Sequence, residues 1–467
     1  MGEAMGSRRL GLCAILLSLS LISGCALSPQ NRARNLPAHP KVAGEPVLIP
    51  RPLGENVLAL SFSGGGMRAA AFSLGALQGL DALRVTKESS LLDDLSFITS
   101  VSGGSITAAY YGIHGKSALV TMRPHVLLKD GETHMRLSLL NPTNVFRLLA
   151  GGLNDRNQLQ AWLDRDIFHG ARFNEMLDSS KPDIWINATN VYDRISFPFH
   201  QRAFDALCSD LASFPVSEAV AASMAVPLVF APVILRKYPE SCQTQLPNVD
   251  RIDDADRPLL TQALARAIKQ FRDPTAGQFL KLVDGGITDN YGLASIQQSR
   301  LLLGTPYGPL TSEDAINIKR MLFIVVDAGL AQRGDWNRSE QGPSGIELAS
   351  AAIDSAINTN VRMSYDNFVP MMKQWQKDII TYRCQLPTDQ IAKIVKTRPS
   401  WRCDDVEFSV TRIAFNDLDP ERAARLNRIP TSLRLTSEQV DELIAASHEA
   451  IIQNDKIERY FQVTRKH

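Results

Sequence analysis

Ser102 stands in Ser100-Val101-Ser102-Gly103-Gly104, directly after the apolar run Leu95 to Val101 and directly before the helix-compatible Ile106 to Gly112. A hydroxyl on a sharp strand-to-helix turn, flanked by small residues, is what a nucleophile needs, because the bent backbone leaves no room for bulk. The G-x-S-x-G elbow pattern is kept with one departure: Ser100 takes the leading glycine position. A serine attacks an ester carbonyl only with a base to take its proton and donors to hold the oxyanion. Gly64-Gly65-Gly66, after the run Val57 to Ser63, can turn several backbone N–H groups towards one spot. No Lys-Ser/Thr follows these glycines, which argues against a nucleotide phosphate loop; a plain structural turn is the bland alternative. Arg68, one turn further on, either holds this loop in shape or meets a substrate phosphate, unless it is simply solvated.

The base is the open question. Asp284-Gly285-Gly286 closes the run Phe279 to Val283 and precedes Thr288-Asp289-Asn290-Tyr291-Gly292. In a three-residue triad the base is a histidine oriented by an aspartate. The hydrolase order Ser, Asp, His leaves only His448 and His467, both in a helical tail, because His114, His125, His134, His169 and His200 lie between Ser102 and Asp284. Asp284 acting directly on Ser102 is the simpler reading.

Elements that could position these groups alternate along the chain. Asp183 to Val191 and Met321 to Val326 read as buried strands, and Tyr192 to Ala203 has the loose alternation of a hairpin. Val216 to Phe230 is a small-residue helix broken by Pro227. Ser117 to Ser180 is mostly helical, and Arg236 to Gln278 is polar and irregular, a candidate surface cap with a helical patch near Leu260 to Phe271. Thr436 and Gln439 form a capping box ahead of an amphipathic helix with Val440, Leu443, Ile444, Ser447 and Ile451 on one face. Strands alternating with helices predict an α/β fold, a mostly parallel sheet with helices on both faces.

Gly64-Gly65-Gly66-Met67-Arg68, the Ser102 turn with Gly103-Gly104, Ala222-Ser223-Met224-Ala225-Val226-Pro227-Leu228-Val229-Phe230, and Asp284-Gly285-Gly286 occur in the order seen in patatin-like phospholipases, which this chain resembles from about Asn56 to Gly292. The resemblance implies a three-layer fold and a Ser-Asp dyad, with Ser102 as nucleophile and Asp284 as base. It also implies an oxyanion hole built from Gly64, Gly65 and Gly66, with Gly103 contributing, and hydrolysis of fatty-acyl esters in lipids through an acyl-enzyme. No cofactor and no metal are implied. Two rivals share the fold: a catalytically silent lipid-binding envelope lipoprotein, and an acyltransferase that uses an acceptor other than water.

The 467 residues suffice for one large or two ordinary domains, and 50 Lys and Arg against 49 Asp and Glu give no basic stripe for nucleic acid. Residues 1–24 read as a lipoprotein signal: Arg8 and Arg9, the apolar run Leu10 to Ile22, then Ser23-Gly24-Cys25, a lipobox-like site whose Cys25 would carry the lipid. A plain signal peptide is the alternative. Removing the segment, with Glu3, Arg8 and Arg9, takes the formal charge from +1 to zero. Ala26 after the cysteine favours the outer membrane over the inner one, so the expected place is the cell envelope, with the chain anchored to a membrane and not crossing it. Residues 25–55, with six prolines from Pro29 to Pro52, read as a flexible tether; residues 56–467 form the acyl hydrolase domain, with a core over 56–330 and a C-terminal helical part over 331–467. Cys208, Cys242, Cys384 and Cys403 are disulfide candidates, their spacings suiting Cys208–Cys242 and Cys384–Cys403, with free thiols as the alternative. Oligomeric state has no signature in the sequence.

Overall fold

Side-chain alternation along the central strands sorts the interior into two cores. In the computed structural model Leu58, Leu60 and Phe62 of one strand join one apolar cluster, while Val57 and Ala59 between them join another. Leu322, Ile324 and Val326 of a second strand go with the first set, and Met321, Phe323 and Val325 with the second. A period of two with both parities apolar is what a sheet covered on both faces requires. The structure describes residues 31–39, 53–133, 135–136, 141–178, 180–243, 256–329, 340, 345–394 and 401–465. The signal segment, Cys25, His467 and part of the expected cap lie outside them.

The strands are β1 (Leu36–Pro37), β2 (Asn56–Phe62), β3 (Leu95–Val101), β4 (Asp183–Asn190), β5 (Ile195–Phe199), β6 (Ser209–Asp210), β7 (Val233–Arg236), β8 (Phe279–Asp284), β9 (Arg320–Asp327) and β10 (Glu407–Ala414). The helices used below are α1 (Gly66–Ala82), α2 (Gly103–His114), α3 (Pro142–Leu149), α4 (Val216–Ser223), α5 (Leu259–Arg272), α6 (Ala294–Leu303), α7 (Gly345–Cys384) and α8 (Ser437–Ile452). The main sheet runs β10-β9-β2-β3-β4-β8-β7, with β5 on β4 as well. Its pairings from β10 to β4 are all parallel, while β5, β7 and β8 pair antiparallel. The fold is therefore α/β with a mixed, mostly parallel sheet. The antiparallel exceptions lie on β4 and beyond it, and the span Tyr192 to Ala203, expected as a hairpin, instead holds the single strand β5, which turns back onto β4, and the start of a helix (Gln201–Leu207).

On one face α1 is overlaid by α8, and the two backbones approach closely enough that a Cβ on Gly75 would stand 2.2 Å from the Ile444 carbonyl oxygen. The capping box is present: the Thr436 hydroxyl accepts the Gln439 N–H, and the Gln439 side chain accepts the Thr436 N–H. On the other face α7 packs Phe368, Met372, Trp375 and Ile379 under the sheet. Cys208 is bonded to Cys242 and Cys384 to Cys403, with Cα separations of 4.6 and 5.0 Å.

The stretch read as a free tether is attached to the domain over 31–39. β1 pairs with β6, and the buried Asn35 side chain donates to Ser209 Oγ at 2.9 Å and to the Arg236 carbonyl at 2.7 Å. Its proline content signalled the lack of a regular element; the asparagines that fasten it to open carbonyls carry no pattern. Among the described residues no helix is long and apolar enough to cross a membrane.

Candidate active site

The register of β4 brings Ser102 and Asp284 together. β3 pairs with β4 up to Val101↔Asn187, and β8 pairs with the next β4 residue onward, starting at Ala188↔Asp284. β5 shares β4 residues with both, so it occupies the opposite edge. Hence β3, parallel to β4, and β8, antiparallel to it, run towards each other along one edge and meet end to end. Ser102 follows the tip of the first, and Asp284 is the tip of the second.

Ser102 holds φ 50 and ψ −125, a left-handed conformation that side chains rarely adopt. What keeps it there is Ser223, at the end of α4. The Ser102 N–H donates to Ser223 Oγ at 2.7 Å, and that hydroxyl donates to the Asn187 carbonyl at 2.6 Å. The Ser223 carbonyl in turn accepts the Gly285 N–H at 3.2 Å, and the Ala225 carbonyl accepts the Asp284 N–H at 2.9 Å. One short segment therefore fastens both turns. Ser223→Ala is expected to lower kcat roughly 10- to 100-fold, as the loss of a buried hydrogen-bonded anchor costs about 1–3 kcal/mol. Steady-state kinetics beside an unfolding curve would separate this from a general loss of fold.

Both side chains are buried, Ser102 at 8 % exposure and Asp284 at 4 %. The Gly286 N–H donates to Asp284 Oδ1 at 2.8 Å, and the Ser102 hydroxyl is near enough to the same carboxyl group to pull its pKa down. Burial pushes the Asp284 pKa up to about 6, against the opposing pull of the Gly286 N–H and the Ser102 hydroxyl. A carboxylate there is ionised at neutral pH and more basic than an exposed aspartate, which suits proton abstraction.

The glycine loop faces this pair. Gly65 and Gly66 have φ 144 and 61, and Gly103 packs on Gly66. Gly66 and Gly103 begin α1 and α2, so the free N–H ends of two helices meet beside Ser102. The N–H groups of Gly65, Gly66 and Gly103 have no acceptor among the described residues. Gly64 departs from the expectation: its N–H donates to the Asn290 carbonyl at 3.1 Å, so it shapes the loop and is not available as an oxyanion donor. Arg68 is buried, donating from Nε to the Ala328 carbonyl at 2.9 Å and from Nη1 to the Ile429 carbonyl at 3.0 Å. It fits the loop-holding reading, and neither solvation nor a substrate phosphate.

No described histidine bonds to Ser102 or Asp284. His448 backs onto Gly79 of α1, thirteen residues beyond Gly66, or roughly 20 Å along that helix. A cavity of about 240 Å³ between β5, α5 and α6 lies on the other edge of β4 and includes neither Ser102 nor Asp284. Sequence reasoning gave no role to Ser223, Asn187 or Ser432, whose carbonyl accepts the Met67 N–H at 2.9 Å. The one available signal was Ser223 itself, a hydroxyl inside an otherwise apolar run, Val220 to Phe230.

A family model for patatin-like phospholipases matches residues 60–295, just over half of the chain. Among solved structures, human GIVD cytosolic phospholipase A2 is similar over 88 % of this chain and 60 % of its own, with 11 % identity and a TM-score of 0.38. VipD from Legionella pneumophila is similar over 90 % of this chain and 71 % of its own, with 13 % identity and a TM-score of 0.29. The chain thus spans about 60 % of the length of the human enzyme. No curated protein matches it.

Proposed function

The chain belongs to the patatin-like phospholipase family, and from that premise we propose that it is a serine acyl hydrolase cleaving fatty-acyl esters of membrane lipids. Ser102 Oγ bonds to the ester carbonyl carbon as its proton passes to Asp284. The N–H groups of Gly65, Gly66 and Gly103 receive the oxyanion, an effect worth about 3–4 kcal/mol per donor in comparable sites. The intermediate collapses by breaking the bond to the alcohol oxygen, which leaves with the proton from Asp284. Water then repeats the sequence on the acyl-enzyme: Asp284 takes its proton, the acid departs and Ser102 recovers its own.

The observation that carries this reading is a buried Asp284 carboxyl at the tip of one strand, set beside a serine on a left-handed turn at the tip of the strand that meets it. In the same reading Cys25 carries lipid and the chain resides in the cell envelope, at the outer membrane; the arrangement of residues 8–25 supports this. A fluorophosphonate probe tests the function. Labelling that mass spectrometry maps to Ser102, with release of fatty acid from mixed phospholipid, is the expected result. A folded protein that binds lipid but takes no label would instead be the silent lipoprotein. Acyl transfer would show as product ester formed at the expense of free acid when an alcohol acceptor is added.

A pH profile gives a second check. Asp284 must be ionised to accept a proton, so log kcat/KM is expected to fall with unit slope as pH drops below about 6 and to be flat above it. An acid limb near the pKa of an exposed aspartate would remove Asp284 from the role of base.

A further inference from the structure

The helix α3 turns apolar side chains to solvent: Val145 is 41 % exposed, Phe146 59 % and Leu149 79 %. A single exposed leucine means little, but a contiguous apolar patch marks a surface made to be covered. The chain leaving the helix leads to another exposed apolar residue. The chain leaving α3 bonds to the turn after α4, with the Leu153 N–H donating to the Leu228 carbonyl at 3.1 Å and the Asn154 N–H to the Val229 carbonyl at 3.0 Å. Leu228 is itself 41 % exposed and sits at φ 74, a backbone conformation costly for a leucine, while Val226 and Phe230 beside it are half-buried.

Where the chain enters identifies the occupant. The Asn31 side chain donates to the carbonyls of Ala231 at 3.2 Å and Pro232 at 2.6 Å, and it accepts the Arg156 N–H at 2.9 Å. Everything before residue 31 therefore departs from the border of the patch. Cys25 is six residues earlier, at most about 20 Å of extended chain. The apolar run Leu10 to Ile22 precedes it. The α3 sequence holds Arg147 and no acidic residue, so nothing on it repels an anionic surface. The patch also lies close to the chemistry, since Val226 directly follows Ala225, whose carbonyl holds the Asp284 N–H.

We propose that Val145, Phe146, Leu149 and Leu228 form a membrane-docking surface that enters the boundary between headgroups and acyl chains of a lipid bilayer. This goes beyond catalysis and does not depend on it, because the contact is equally expected of Ser102→Ala protein.

The test uses the full chain as the cell processes it, with Leu149→Cys carrying an environment-sensitive fluorophore and Met363→Cys as a reference. Met363 is 58 % exposed on α7. Both positions are open, so neither substitution disturbs packing, and Phe146→Cys repeats the reading should the first label alter the patch. On vesicles of phosphatidylethanolamine and phosphatidylglycerol, the label at 149 is expected to shift to the blue. Shallow spin-labelled lipids should quench it more than deep ones, as befits insertion of roughly 5–10 Å. The label at 363 should not respond. A label at 149 that stays as wet as that at 363, while the protein is bound to the vesicles, would overturn the proposal and leave the N-terminal segment as the sole contact. A blue shift without vesicles would overturn it too. If that shift grows with protein concentration, a second copy covers the patch; if not, the chain's own N-terminal segment does.

Discussion

Asp284→Asn protein is expected to be inactive and, at neutral pH, harder to unfold than its parent. The first effect follows from the proton: an amide cannot take it from Ser102, and loss of a general base costs about 10²–10⁴-fold, more where nucleophile and base act as a unit. The second follows from the same burial that makes the group basic. The folded-state pKa of about 6 lies above the ordinary aspartate value of 3.8, so ionising this carboxyl favours the unfolded chain. Its contribution is fully retained below about pH 4 and is lost as pH rises through about 6. Above that the parent forfeits about 3 kcal/mol, at roughly 1.4 kcal/mol per unit of pKa, a loss the asparagine variant escapes. Melting curves at pH 4 and pH 7.5 should therefore coincide at the lower pH and separate at the higher one, with the variant on the hot side. A variant less stable at pH 7.5 would mean that the carboxylate is stabilised in place by its hydrogen bonds. That would remove the physical basis for its raised basicity.

Gly103→Ala is expected to do the greatest damage for the smallest change. A Cβ at this position would stand 1.9 Å from the Gly66 carbonyl oxygen and 2.7 Å from its nitrogen, all backbone atoms with no side chain to swing aside. To admit a methyl group, the Ser102 turn and the glycine loop must part. The donors of Gly65 and Gly66 then no longer face the reacting carbonyl, and hydrolysis should drop at least about 10²-fold, the cost of one lost oxyanion donor. Overpacking of this kind removes about 1–3 kcal/mol of stability as well. Gly277→Ala is the fitting comparison, because a methyl group there meets nothing within 4 Å. Kinetics and unfolding of the two variants side by side would show whether the effect belongs to the contact or to glycine replacement in general.

The groups at the site were legible because each sits in a local pattern. An apolar run, a turn of small residues and a helix-compatible stretch announce Ser102 and the Gly64–Gly66 loop, and a run ending in Asp-Gly-Gly announces Asp284. What brings them together is not local. That β3 and β8 share one edge of β4 depends on β5 holding the other edge, a matter of long-range register that no window of sequence contains. The Gly64 donor was misread for a related reason, since whether a loop N–H is free depends on which carbonyl, here that of Asn290, happens to face it. The docked segment 31–39 shows the same limit. Proline-rich composition reports the absence of a regular element, and it says nothing of whether asparagine side chains will find open carbonyls.

The segment around Ser432 bears on when in its life the protein can act. Met67, on the first turn of the glycine-loop helix, gives its N–H to the Ser432 carbonyl, and Arg68 gives a guanidinium N–H to the Ile429 carbonyl. Both clamps come from far beyond residue 295, where the family match ends. A ribosome delivers the chain from its N-terminus, so Ser102 and Asp284 are made well before the piece that fixes the glycine loop beside them. The proposed lipid hydrolase would thus stay unassembled until nearly its whole length has emerged. The order of synthesis alone delays assembly of the site, with no separate inhibitor.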